Sequence, residues 1–145
     1  MACKQAKVLS NNDVSDLLAF AGRSRNPTRN EVIVLLSAKA GLRAGEIANL
    51  TWDMVLDSRG HVGFALELHN NAAKNGSGRV IPVHADLRRA LIAWREVSIK
   101  PGAVVRSERG GPMTALSIVV WFNRAFRTIG LRGCSSHSGD RKSVV

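Results

Sequence analysis

Residues 40–55 read AGLRAGEIANLTWDMV, and their reading decides the fold class. A helical apolar pattern runs into this stretch, and Gly41 stops it, as glycine does just past a helix end. Arg43 follows two residues later. Ala44 to Leu50 then spell a third short helix. Past Leu50 the period shortens, so the stretch joins a helical half to a β segment.

The upstream half supports this. Ser10 and Asp13 form an S-x-x-D capping box opening a helix whose apolar face is Val14, Leu17, Leu18 and Ala21. The run GRSRNP breaks it. Asn26 and Pro27 suit N-cap and first-turn positions, and the helix they start is predicted to reach Ala40, with Val32, Leu35, Leu36 and Ala40 inward.

Downstream, HVGFALEL (61–68) and RVIPVH (79–84) read as two strands joined by HNNAAKNGSG, an Asn- and Gly-rich connection typical of a hairpin. Pro82 places the second strand at an edge or bulge. Helical spacing returns in ADLRRALIAWREVS, with Leu87, Leu91, Trp94 and Val97 on one stripe and arginines opposite. KPGAVVRSERGGPM reads as loop with at most one short strand. Thr114 then caps a last helix, with Val119, Phe122, Phe126 and Ile129 on its inner face and Gly130 at its end. Three helices, a small hairpin and two helices make an α+β, mostly helical fold.

The 145 residues suffice for one hydrophobic core, and no apolar run approaches the roughly 20 residues of a membrane span. The start, MACKQAKVLS, has no apolar segment of the secretory kind. A soluble, intracellular protein is expected, with Cys3 and Cys134 as free thiols. Lys and Arg number 21 against 11 Asp and Glu, a formal charge of +10. Such a charge favours a polyanion. The cations are spread through GRSRNPTR, LRRA, RSERGG, FNRAFR, LRG and DRK, which suits a broad surface tracking a nucleic-acid backbone. Charge alone leaves DNA and RNA open. No aromatic RNP-like strand or GXXG loop in context favours an RNA-binding protein.

Arg43, Lys74 and His137 are the positions that can carry chemistry. AGLRAGEIANLTWDMV resembles the first catalytic box of the tyrosine recombinases, the phage-integrase family: Arg43 ends GLR, Glu46 stands three residues on, and LTWDMV leads into the sheet. AAKNGSGRVIPVHADLRRAL resembles the next box, with Lys74 before the strand RVIPV. SERGGPMTALSIVVWFNRAFRTIGL resembles the segment before the third box, and CSSHSG its beginning, H-x-x-R. The resemblance covers roughly residues 8–139.

It implies a partial integrase-like catalytic domain over 8–139, a divergent tail over 140–145, and no N-terminal core-DNA-binding domain. It also implies DNA integration and site-specific recombination of double-stranded DNA, with other recombinase protomers as further partners and neither metal nor cofactor. A cytoplasmic, nucleoid-associated protein is expected. Family members attack a phosphodiester with tyrosine, and negative charge builds on the phosphoryl oxygens, where prearranged cations stabilise it. By resemblance Arg43 holds a non-bridging oxygen, Lys74 protonates the departing 5′-oxygen, and His137 contacts the phosphate and assists proton transfer. Glu46 is structural, orienting Arg43 or a helix end.

Two departures stand out. The fourth place of H-x-x-R is Asp140, with Arg141 one residue late, which makes Arg141 a doubtful catalytic residue. The composition includes no tyrosine, and the chain stops six residues past Gly139, before the family's nucleophile would appear. The expectation is a fold incomplete at its C-terminus and an enzyme inactive alone, through a frameshift, insertion or early stop. The alternatives are a non-catalytic DNA-binding module and a subunit that borrows its tyrosine in trans. Missing C-terminal helices are expected to leave apolar surface open around Val119, Phe122 and Phe126, with marginal stability or oligomerisation.

Overall fold

A computed structural model describes residues 9–69 and 78–130. In chain order they form α1 (Asn11–Gly22), α2 (Pro27–Ala40), α3 (Ala44–Asn49), α4 (Trp52–Val55), β1 (Ala65–Leu68), β2 (Arg79–Pro82), α5 (Ala85–Val97) and α6 (Ala115–Ile129). The mostly helical α+β fold with one small antiparallel sheet is the architecture expected from sequence.

Local chemistry sets the helix ends. Ser10 accepts the Asp13 N–H and the Asp13 carboxylate accepts the Ser10 N–H, both at 3.0 Å, the reciprocal capping box. Helix α2 opens on Pro27 and closes at Gly41, whose φ of 70° lies in the left-handed region; a side chain there would be strained. Thr114 accepts the Ser117 N–H at 3.1 Å and starts α6.

Helix α2 is the centre of the core. Val32 through Leu36 are all buried, so its burial is not the one-sided stripe of the sequence reading. Ala40, expected inward, is only half-buried. Helices α1 and α5 pack on α2, while α3 and α1 pack on α6. Strands β1 and β2 pair antiparallel, with Leu66 opposite Ile81 and Leu68 opposite Arg79. Leu66 and Leu68 face the core; Glu67 and Val80 face outward. The apolar segment Ala103–Val105 is buried without forming a named strand; a single bridge ties Ala103 to Thr51, and another ties Arg106 to Pro112.

Two further sequence expectations need correction. Val97 is 64% exposed. Helix α5 outruns the core in its last turn, and the following Ser98 turns inward, its N–H donating to the Trp94 carbonyl at 2.8 Å. The Trp94 indole N–H in turn reaches the Val104 carbonyl at 2.7 Å. The second correction concerns α6. Phe122 and Phe126 are fully buried and Val119 is half-buried. The Trp121 ring meets Phe20 of α1 and Phe122 edge-on, with centroids 5.7 and 5.3 Å apart. The apolar side chains of α6 left open are Leu116 and Val120, on the opposite face.

Not every arginine serves the surface. Arg29 is 7% exposed; its guanidinium donates to the Arg106 carbonyl and to Asn30, both at 2.9 Å. Burial pulls its pKa below the ordinary arginine value, against the raising influence of Glu108. Arg88 lies over the Phe64 ring at 4.2 Å and donates to the Val62 carbonyl.

The turn between α4 and β1 hangs on one carboxylate. Asp57 accepts the N–H groups of Arg59 and His61 at 2.9 and 3.0 Å, and these bonds hold its pKa below the usual carboxylate value. A depressed folded pKa means the turn gains stability that is complete above the free-aspartate value of about 3.9 and is lost as pH falls through the lower folded value. The Arg59 amide resonance should therefore shift on acidification with an inflection below about 3.9. Asp57→Asn should abolish it; an inflection at or above that value would refute the account.

Candidate active site

Gly41 ends α2, Leu42 is buried, and the chain re-enters a helix at once, so Arg43 becomes the N-cap of α3 in an extended conformation, φ −82° and ψ 163°. Arginine has no acceptor with which to cap the helix. The tie runs the other way: the Arg43 backbone N–H donates to Glu46 Oε1 at 3.0 Å. This is the acidic half of a capping box, and an acid in the first turn also suits the helix dipole. The Arg43 side chain is half-buried at the surface of this corner.

Glu46 is 2% exposed. A carboxylate so placed needs a cation and hydrogen bonds to remain charged. Arg79, the first residue of β2, supplies both: Nη1 lies 2.8 Å from Oε2 and Nη2 lies 3.1 Å from Oε1. This two-pronged contact matches the planar guanidinium fork. Arg79 was not singled out by the sequence reading. The available signal was Glu46 itself, an acid between the apolar Ala44 and Ile47, which demands a basic partner without saying which.

The other strand of the hairpin is held more loosely. His69 follows β1, and its Nδ1 lies 3.9 Å from Asp53 Oδ2 of α4; both are exposed, so the pair contributes little. Asp53 also accepts a hydrogen bond from the Thr51 hydroxyl. The segment containing Arg43 and the base of the hairpin are thereby connected through two carboxylates, Glu46 and Asp53.

Of the residues named from sequence, Arg43 and Glu46 lie within the described part and sit together. Lys74, His137, Asp140 and Arg141 lie outside the described residues, as do Cys3 and Cys134. Among the described residues, no helix is long and apolar enough to cross a membrane.

The fold resembles solved recombinases. XerA recombinase superposes with a TM-score of 0.73 at 18% identity, over 92% of this chain and 46% of that one. A lambda integrase dimer bound to a COC′ core site gives 0.70 at 19%, over 92% and 38%. The Tn1549 transposon integrase in complex with transposon right end DNA gives 0.71 at 19%, over 93% and 51%. The chain thus spans about half, or less, of the length of these structures. Among curated protein sequences, none matches it significantly. The phage integrase family pattern matches residues 7–142, nearly the whole sequence. The chain belongs to the phage integrase family.

Proposed function

We propose that this chain carries the phosphate-binding side of a tyrosine-recombinase strand-transfer site. It acts on double-stranded DNA, alongside other recombinase protomers. In this reading Arg43 holds a non-bridging phosphate oxygen, Lys74 protonates the 5′-oxygen as it leaves, and His137 contacts the phosphate and assists proton transfer. Glu46 keeps the arginine segment in place. The similar lambda integrase and transposon integrase structures contain DNA, and one lambda integrase structure is a tetramer on a Holliday junction. A DNA substrate would put the protein's work in the cytoplasm, on the nucleoid.

The observation that carries the reading is the corner at Arg43. A cation stands at a helix N-cap, its main chain held by a buried carboxylate that is itself clamped by the hairpin strand. Such prearrangement is what transition-state charge stabilisation requires.

These 145 residues include no tyrosine, so a cut made with them needs a tyrosine from outside the segment. Asp140 further weakens the site. Both facts favour a second reading, a module that binds DNA at recombination sites without cutting.

Two measurements test these readings. First, duplex affinity should fall linearly in log–log form with salt, and Arg43→Ala should reduce the slope magnitude by about 1. An unchanged affinity and slope would overturn Arg43 as a phosphate contact. Second, nicked suicide DNA should trap no covalent adduct with the protein alone. Mixed with a full-length relative lacking its own counterpart of Arg43, an adduct on the relative's tyrosine supports the strand-transfer half-site. No adduct leaves the binding module.

A further inference from the structure

We propose that Arg79 is a positioning residue for Arg43, acting through the buried carboxylate of Glu46; the proposal rests on the reading of Arg43 as a phosphate-binding cation. Glu46 Oε1 does two things at once. It accepts the Arg43 backbone N–H at 3.0 Å and the Arg79 Nη2–H at 3.1 Å, while Arg79 Nη1 holds the other oxygen at 2.8 Å. A carboxylate gripped at both oxygens cannot rotate about its last bond without breaking one contact. Its plane is therefore set by the guanidinium, and the Arg43 main chain is set by that plane.

The Arg79 main chain is itself fixed by the sheet. Arg79 pairs with Leu68 across the antiparallel ladder, and Leu68 is buried in the core. The Arg79–Glu46 pair thus ties the hydrogen-bonded frame of the hairpin to α3 across 33 residues of sequence. Without Arg79, the buried Glu46 carboxylate loses two of its hydrogen bonds and the charge of the guanidinium, which loosens its hold on the Arg43 N–H. Lysine is a poor substitute, since a point charge cannot hold both oxygens in one plane.

The test compares Arg79→Gln, Arg79→Lys, Arg43→Ala and the Arg79→Gln/Arg43→Ala double variant. Amide hydrogen exchange is read at Arg43, with Ile33 in the core helix as internal reference. Arg79→Gln should speed exchange at Arg43 by about tenfold or more, the scale of a lost charge-assisted hydrogen bond, with Ile33 unchanged. Arg79→Lys should fall between it and the parent. Should the Gln variant not fold, the Lys variant decides, because it keeps the charge and loses only the fork.

Duplex affinity supplies the second readout. Arg79→Gln should weaken binding about 5–10-fold, part of a full charge-assisted contact, and cause no further loss when Arg43 is already alanine. Unchanged exchange at Arg43 in the folded variants would overturn the proposal. So would an equal loss of affinity with and without Arg43, which would make Arg79 a DNA contact in its own right. If Arg43→Ala leaves affinity intact, the phosphate-binding reading falls, and the exchange data still decide whether Arg79 positions Arg43.

Discussion

Phe122→Ala lowers the unfolding free energy by about 3–5 kcal/mol, the usual cost of truncating a fully buried phenylalanine. Phe122 is 1% exposed. Its ring meets Trp121 edge-on at 5.3 Å and lies tilted against Phe126 at 5.7 Å. Alanine leaves a cavity between α6 and its neighbours and removes two ring contacts that contribute about 0.5–1.5 kcal/mol each beyond area burial. For a chain of this length the melting temperature should drop by roughly 10–15 °C. The control is Leu116→Ala on the same helix. Leu116 is 72% exposed, and its loss should stay within about 0.5 kcal/mol. Urea unfolding of both variants measures this. A small effect at Phe122 would mean that this face is open after all.

The second large effect concerns Asp140, in the position where the family resemblance places an arginine. A carboxylate beside a phosphoryl group repels charge that a guanidinium would neutralise. Restoring one such donor typically gains about 100–1,000-fold in rate. We propose that Arg141 does not fill that place, since it comes one residue late in the motif. In the mixed suicide-substrate assay, Asp140→Arg should raise adduct formation about 100–1,000-fold over the parent chain. Arg141→Ala in the parent should change little. If the parent already cleaves at the rate of the variant, Asp140 is harmless and Arg141 fills the place.

The legible parts of the fold were those governed by local chemistry. Ser10 with Asp13, Pro27 with Gly41, and Thr114 before α6 mark helix ends because each satisfies backbone groups within a few residues. The hairpin was legible from its turn-rich connection. What failed depended on partners distant in sequence. A stripe rule assumes that each helix buries one face, yet α2 is surrounded and buries most of its surface. Phe122 and Phe126 were expected to be open because their cover was assigned to segments beyond the chain. Helices α1 and α3 pack on α6 and help to provide it, and Phe20 of α1, a hundred residues upstream, meets the neighbouring Trp121.

The candidate site was half legible in the same sense. Arg43 and Glu46 were found together because they lie three residues apart, within one helical turn. Arg79 was missed because the need of a buried acid for a base names no address, and the chain offers 21 basic residues. Arg29 shows the converse: it was counted in a cationic surface, while its guanidinium is spent on a backbone carbonyl and Asn30.

Pro82 bears on the behaviour of many molecules together. The Val83 N–H donates to the Phe64 carbonyl at 2.9 Å. Hydrogen-bonding pairs alternate along an antiparallel ladder, so positions 80 and 82 direct their backbone nitrogens away from β1. Among the described residues nothing pairs with that side of β2. Val80 offers a donor there; Pro82 has none. A strand from another copy would find half of its expected donors missing along the edge. A proline at an open edge is a known guard against sheet-to-sheet growth. Pro82 thereby withholds a donor from any strand that meets this side of β2.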